Sequence, residues 1–168
     1  MPVSVNLDEL MTYTEWERAS WQAWFPRQPA HAFTTSLGPH GDGRFNAVAD
    51  VVRHMFSAEK RYVERLSQRP LTDPATIPSA CAEVFAFGQQ SRKDLRAFVA
   101  ALPAAAWDVA AEHTIQDFKL KLSPRKIVVH VLLHEIRHWA QIATVLRQNG
   151  FKVDFHDFLF SPALAAGS

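Results

Sequence analysis

Proline and glycine, the residues that most strongly interrupt regular secondary structure, are concentrated in three stretches of this 168-residue chain, 26–43, 70–78 and 103–124. Around these stretches, apolar residues recur at three- and four-residue spacing, which is the pattern of an amphipathic helix. The sequence therefore predicts four helices, at about 7–25, 44–67, 79–101 and 124–148.

The ends of the first and last predicted helices carry specific signals. Asn6 can cap the first helix, with Glu9 at the capping-box position. Ser123 can cap the last, Pro124 occupies its first position, and Gly150 follows its end.

A short extended segment is predicted between the third and fourth helices, because Phe118, Leu120 and Leu122 alternate with polar residues. No other part of the sequence has a convincing strand pattern. The predicted fold class is therefore all-α, a four-helix bundle forming a single domain over residues 1–168. The aromatic stretch 151–160 is expected to pack back on the helices.

Composition argues against several classes of protein. Lys and Arg (18) nearly balance Asp and Glu (17) without a basic cluster, so a nucleic-acid partner is not expected. No segment approaches the roughly 18–20 apolar residues that cross a bilayer, and the polar stretch 1–10 argues against a signal peptide. Cys81 is the only cysteine, so no internal disulfide can form, which fits a cytoplasmic protein.

A row of histidines marks the last helix. His130, His134 and His138 are spaced by four residues and project from nearly one face. Imidazole binds zinc, nickel, copper and iron, and two histidines at i and i+4 can hold one ion. The alternative is a polar row on a solvated face, but nearly every other position of this helix is apolar. The residues alone leave both interpretations open.

A catalytic metal site needs a third protein ligand and an open coordination position. His54 is the best candidate, because it lies in the middle of the second predicted helix, in line with the small residues Ala47 and Ala58. A hydrogen-bonded core histidine is the alternative. His156, in the aromatic stretch, could also enter such a site.

Residues 134–138, HEIRH, match the short zincin motif H-E-x-x-H, in which Glu135 would act as general base. The extended metzincin form requires Gly and His where this chain has Gln141 and Thr144. The gluzincin form requires a downstream Glu, and none follows Glu135. A metalloprotease is therefore disfavoured.

Two segments resemble the DinB/YfiT-like family of small metal-binding proteins. They are 53–59, RHMFSAE, and 130–141, HVLLHEIRHWAQ. In the family these segments read roughly H-(I/L)-x-x-A-E and H-x-x-N-H-x-x-x-H-R-G-Q. The resemblance implies that the metal ligands are His54, His134 and His138, and that His130 is not a ligand.

The match to the family pattern is incomplete around the histidine pair. Gln141 matches the closing Gln, whereas Trp139 and Ala140 replace the usual Arg-Gly, and Leu133 replaces Asn. Contacts around the metal ligands are therefore expected to differ here.

The resemblance also implies an up-down-down-up bundle, often a homodimer, that binds zinc or nickel. We expect a thiol-dependent S-transferase that uses a low-molecular-weight thiol as co-substrate and acts on a small molecule. A metal-dependent hydrolase and a non-catalytic metal-binding bundle are the alternatives, so enzymatic activity is left open. Glu59 and Glu135, which lie near ligands in sequence, are candidates for a catalytic base, and they fit structural roles equally well.

Two further expectations concern the metal and the assembly. The metal should keep one coordination position open, since only the stretch after the last helix, through Asp154, His156 or Asp157, could add a fourth ligand. Five Trp and twelve Phe exceed what a core of this size needs, which favours an aromatic homodimer interface.

Overall fold

The computed structural model describes residues 6–38 and 43–164 of the chain. Its main elements are four α-helices and two strands. In chain order they are α1 (Leu7–Trp24), α2 (Val48–Leu66), α3 (Cys81–Ala101), β1 (Ala111–Ile115), β2 (Phe118–Leu122) and α4 (Pro124–Gln148). The fold is mainly helical, which confirms the predicted class. The up-down-down-up order of the helices stays a prediction.

The capping hydrogen bonds predicted at the start of α1 and the start of α4 are present in the structure, and the predicted glycine follows the end of α4. The Asn6 side chain accepts a hydrogen bond from the Glu9 N–H at 2.9 Å, and the Glu9 carboxylate accepts from the Asn6 N–H at 2.7 Å. The Ser123 hydroxyl accepts from the Lys126 N–H at 3.3 Å. Beyond α4, Gly150 has a φ of 82°, the left-handed conformation with which helices commonly end.

The start of α2 differs from the prediction, since the helix begins at Val48 rather than at residue 44. The backbone N–H groups of Asn46 and Ala47 donate to the Asp50 carboxylate at 3.0 and 3.1 Å. The Val48 N–H donates to the Thr35 carbonyl at 3.0 Å. The residues before α2 are therefore bonded to a preceding segment, which local spacing cannot reveal.

The extended segment predicted before α4 is confirmed as strand β2, and the structure pairs it with a second strand, β1, that the sequence did not predict. β2 pairs antiparallel with β1, with Ala111 opposite Leu122 and Ile115 opposite Phe118. A two-residue turn joins them, in which Gln116 takes a φ of 53°. Glycine or asparagine usually occupies such a turn. Because neither residue is present in this turn, the sequence showed no sign of a hairpin and β1 was not predicted.

The described residues form two compact units, one from Met1–Val51 with Glu135–Ser168, the other from Val52–His134. Both divisions fall inside helices, within α2 and α4. The single-domain organisation stays a prediction. No helix in the described part of the chain is long and apolar enough to cross a bilayer.

Tryptophan forms the centre of the first unit. Trp21 and Trp139 are buried and stack with ring centroids 5.3 Å apart and planes 12° apart. The residues after α4 are tied to α1, because the Trp24 indole N–H donates to the Lys152 carbonyl at 3.1 Å. The Tyr13 hydroxyl likewise donates to the His156 carbonyl at 3.0 Å. The stretch after α4 therefore packs back as expected.

The second unit is built on close contact between α2 and α3. Phe56 and Phe85 are buried and meet edge to face, with ring centroids 5.6 Å apart. A Cβ atom at Gly88 would lie 2.5 Å from the Phe56 ring, closer than real carbon atoms approach. Glycine at this position therefore permits the helices to approach as closely as they do.

Candidate metal centre

Two of the predicted ligands meet within the second unit. His54 on α2 and His134 on α4 are half-buried, and their Nε2 atoms lie 3.0 Å apart.

The third predicted ligand lies one turn further along the same helix. His54, His134 and His138 can each offer one nitrogen such that the three atoms lie within 4.8 Å of one another. Among the residues that the structure describes, this is the one group of three or more His, Cys, Asp or Glu side chains with such geometry. The structure therefore brings together the three histidines singled out from the sequence.

The orientation of His138 is fixed by a neighbour on α4. His138 Nδ1 lies 2.9 Å from the Gln141 side-chain oxygen, which can only accept a hydrogen bond. This contact favours the tautomer in which Nδ1 carries the proton and Nε2 carries the lone pair that a metal would use. A metal-binding histidine typically has such a partner on its second nitrogen. The Gln141 that matched the family pattern has this role.

The donor set fits a first-row divalent metal. Zinc binds histidine nitrogen at about 2.0–2.1 Å, so two ligands at a tetrahedral angle lie about 3.3 Å apart. The His54 and His134 nitrogens at 3.0 Å are near that separation. Three neutral imidazoles suit zinc, nickel, copper or iron.

His130 lies outside this group, although it shares the face of α4. Its ring centroid is 5.5 Å from that of His134 and 5.4 Å from that of Tyr62, and its side chain is exposed. Its position agrees with the non-ligand role that the resemblance implies.

The two acidic candidates are both bound by buried arginines. Glu59 is 2% exposed and accepts hydrogen bonds from Arg92 at 2.8 and 3.0 Å. Sequence spacing gave no sign of this partner, 33 residues away. A catalytic role for Glu59 stays a prediction, while its ion pair clearly joins α2 to α3.

Glu135 is held even more completely. Arg18 donates to both of its oxygens at 2.9 and 2.7 Å, and the Trp139 indole N–H donates to it at 3.1 Å. The general base of a zincin must instead reach a metal-bound water. These contacts agree with the low expectation of a metalloprotease.

Between the end of α4 and residue 164, where the described part of the chain ends, no side chain joins the histidine group. His156 lies beside Trp21, with ring centroids 4.7 Å apart, and Asp154 accepts a hydrogen bond from Arg27 at 2.9 Å. Neither belongs to the group that can hold a metal, nor does Asp157.

The fold and the cluster define a class, that of small helical proteins with three histidines gathered from two helices around one metal position. The family model of the DinB family matches residues 1–166, nearly the whole chain. The chain belongs to the DinB family. No curated protein matches it significantly.

Proposed function

We propose that this protein is a metal-dependent enzyme, a thiol-dependent S-transferase whose zinc or nickel ion is held by His54, His134 and His138. The observation that carries the proposal is the gathering of three imidazole nitrogens within 4.8 Å. A bound divalent ion would supply Lewis acidity, lowering the pKa of a coordinated thiol towards neutrality.

The ligand count supports a catalytic rather than a purely structural metal. In the part of the chain that the structure describes, no fourth His, Cys, Asp or Glu joins the three histidines. Structural zinc sites usually have four protein ligands, whereas catalytic sites have three and an open position. That open position is where we place the low-molecular-weight thiol.

In this proposal, the side chains around the three histidines position the metal ligands. Gln141 holds the proton on His138 Nδ1 and so keeps Nε2 available to the metal. Arg18 fixes Glu135, which is adjacent to His134 on α4, and thereby stabilises the helix turn that carries the ligand. Cys81 is not assigned a part, because burial raises the pKa of its thiol and makes the thiolate scarce.

Metal removal tests the reaction class. Chelator-treated protein reloaded with zinc or nickel should convert an alkyl or aryl halide to its thioether with a low-molecular-weight thiol. The metal-free protein should lose this turnover, and reloading should restore it. Ester hydrolysis without thiol would support the hydrolase instead. If the protein retained its metal but catalysed neither reaction over a broad panel of thiols and electrophiles, the result would support a non-catalytic metal-binding bundle.

We also propose that the protein is a homodimer, because it exposes several large apolar side chains. Phe118 on β2 is 64% exposed, Leu133 on α4 is 53% exposed, and Phe155 is 79% exposed. Exposed apolar surface of this kind marks interfaces. Light scattering should give a mass near 38 kDa, twice the 19.0 kDa of one chain. A mass of one chain at high concentration would contradict the proposal.

A further inference from the structure

A cavity of about 190 Å³ lies within the first unit, between α1, α4 and the residues that follow α4. Its lining includes Tyr13, Glu17 and Trp21 from α1, Trp139 from α4, and His156 beyond it. None of the three histidines of the candidate metal centre lines this cavity. Its chemistry is therefore separate from the proposed function.

Two side chains in the lining have buried polar atoms without hydrogen-bond partners. The Glu17 and His156 side chains are only 7% and 9% exposed. Glu17 Oε2 and both ring nitrogens of His156 have no partner, and His156 Nδ1 lies 3.9 Å from Glu17 Oε1, beyond hydrogen-bond distance. A buried polar group without a partner is destabilising, so such atoms at a cavity indicate a ligand that pairs with them.

The surroundings of Glu17 disfavour its ionised form. Burial, and next the negative charge of Glu135, raise the pKa of Glu17 to about 8, although Trp21 and Tyr13 partly oppose the shift. His156 does not supply the missing positive charge, because burial lowers its pKa and leaves the ring neutral. A positively charged ligand would stabilise the ionised form of this carboxyl group, which burial and the charge of Glu135 disfavour.

The walls of the cavity are aromatic. Trp21 and Trp139 stack against each other, and Trp21 meets His156 edge to face at 4.7 Å. Tyr13 adds a third ring to the lining. Organic ammonium groups bind to aromatic rings through cation–π attraction, whereas small inorganic cations require several oxygen ligands. A carboxyl group among aromatic rings therefore favours an alkylated ammonium.

We propose that this cavity binds a small organic cation bearing an alkylammonium group, with Glu17 as its counter-ion and Trp21 and Trp139 as its aromatic walls. His156 then pairs with a hydrogen-bonding group elsewhere on the same ligand.

Calorimetry on the full metal-loaded chain tests this proposal with choline, a cation that does not titrate. The matched probe is 3,3-dimethyl-1-butanol, which has the same shape without charge. At pH 9, choline should bind at least about tenfold more tightly than the neutral probe. Equal binding of the two would show a merely apolar cavity, and no binding of choline up to about 10 mM would overturn the proposal.

Substitution of Glu17 separates the ion pair from general effects. Glu17→Gln preserves the side-chain shape and removes the charge, so choline affinity at pH 9 should fall at least about tenfold. Glu15→Gln removes the same charge from α1 outside the cavity lining and should leave affinity unchanged. Equal affinities of the Glu17→Gln variant and the unchanged protein would contradict the assignment.

The pH dependence gives a second measurement on the unchanged protein. Only the ionised Glu17 holds the cation, so choline affinity should rise about tenfold per pH unit below pH 8 and level off above it. Of the other groups facing Glu17, Tyr13 has a pKa raised to about 12, and burial lowers the pKa of His156, so the pKa of each is shifted away from that of Glu17. The remaining charges near the cavity are those of Glu135, Arg147, Asp154 and Asp157. A flat profile between pH 6 and 9 would exclude Glu17 as the counter-ion.

Discussion

Replacing His54 with alanine is expected to lower the affinity of the protein for zinc or nickel by more than about 100-fold. Loss of a hydrogen-bond partner of a metal ligand typically lowers metal affinity roughly 10–100-fold, and loss of the ligand itself should lower it further. Only the pair from α4, His134 and His138, would remain. Elemental analysis after dialysis, together with chelator competition, measures the loss of the metal from the chain.

His130→Ala is the matched control for this experiment. It removes an imidazole whose ring lies 5.5 Å from that of His134 but which is outside the group of three. Metal affinity should change little. Gln141→Ala should give an intermediate loss of about 10-fold or more, because His138 would lose the partner of its Nδ1. If His130→Ala removed the metal while His54→Ala retained it, the ligand assignment would be wrong.

Replacing Arg92 with alanine is expected to reduce the free energy of unfolding by about 3–5 kcal/mol. The change leaves the Glu59 carboxylate buried in the second unit without its guanidinium partner. The whole stability of a domain of this size is commonly about 5–15 kcal/mol, so the variant would be near the limit of folding. Urea denaturation, followed by circular dichroism, measures the difference.

A neighbouring ion pair on the same two helices provides the control. Lys60 Nζ and Asp94 Oδ2 are 2.6 Å apart, but the two side chains are 19% and 21% exposed. Lys60→Ala should cost about 1 kcal/mol, because water can solvate the remaining carboxylate. Replacing Glu59 and Arg92 together with apolar residues should recover most of the stability lost in Arg92→Ala. Equal losses in the Arg92 and Lys60 variants would falsify the argument from burial.

Features fixed by near neighbours in sequence were predictable. The cap at Asn6 and the start of α4 at Pro124 depend on residues three or four positions apart, and both were located correctly. The row of histidines followed from helical periodicity and His54 from its place in the second predicted helix, whereas the exclusion of His130 as a ligand came from the family resemblance. The structure brings the three candidate ligands together within 4.8 Å.

Features fixed by distant partners were not predictable in the same way. Arg18 and Glu135 are separated by 117 positions, and no spacing rule pairs them. Strand β1 is polar in sequence and is stabilised as a strand by β2. The cavity around Glu17 and His156 likewise depends on chain segments far apart. Glu17 is only 5% exposed, which its position in the first predicted helix does not reveal.

The close packing at Gly88 has a consequence for how this sequence can change over time. Any larger residue at position 88 would overlap the ring of Phe56, and a smaller residue at position 56 would create the space that such a residue needs. The two positions therefore constrain each other, and neither can accept a change in volume alone at low cost. In relatives that keep this helix contact, a larger residue at position 88 should be accompanied by a smaller one at position 56.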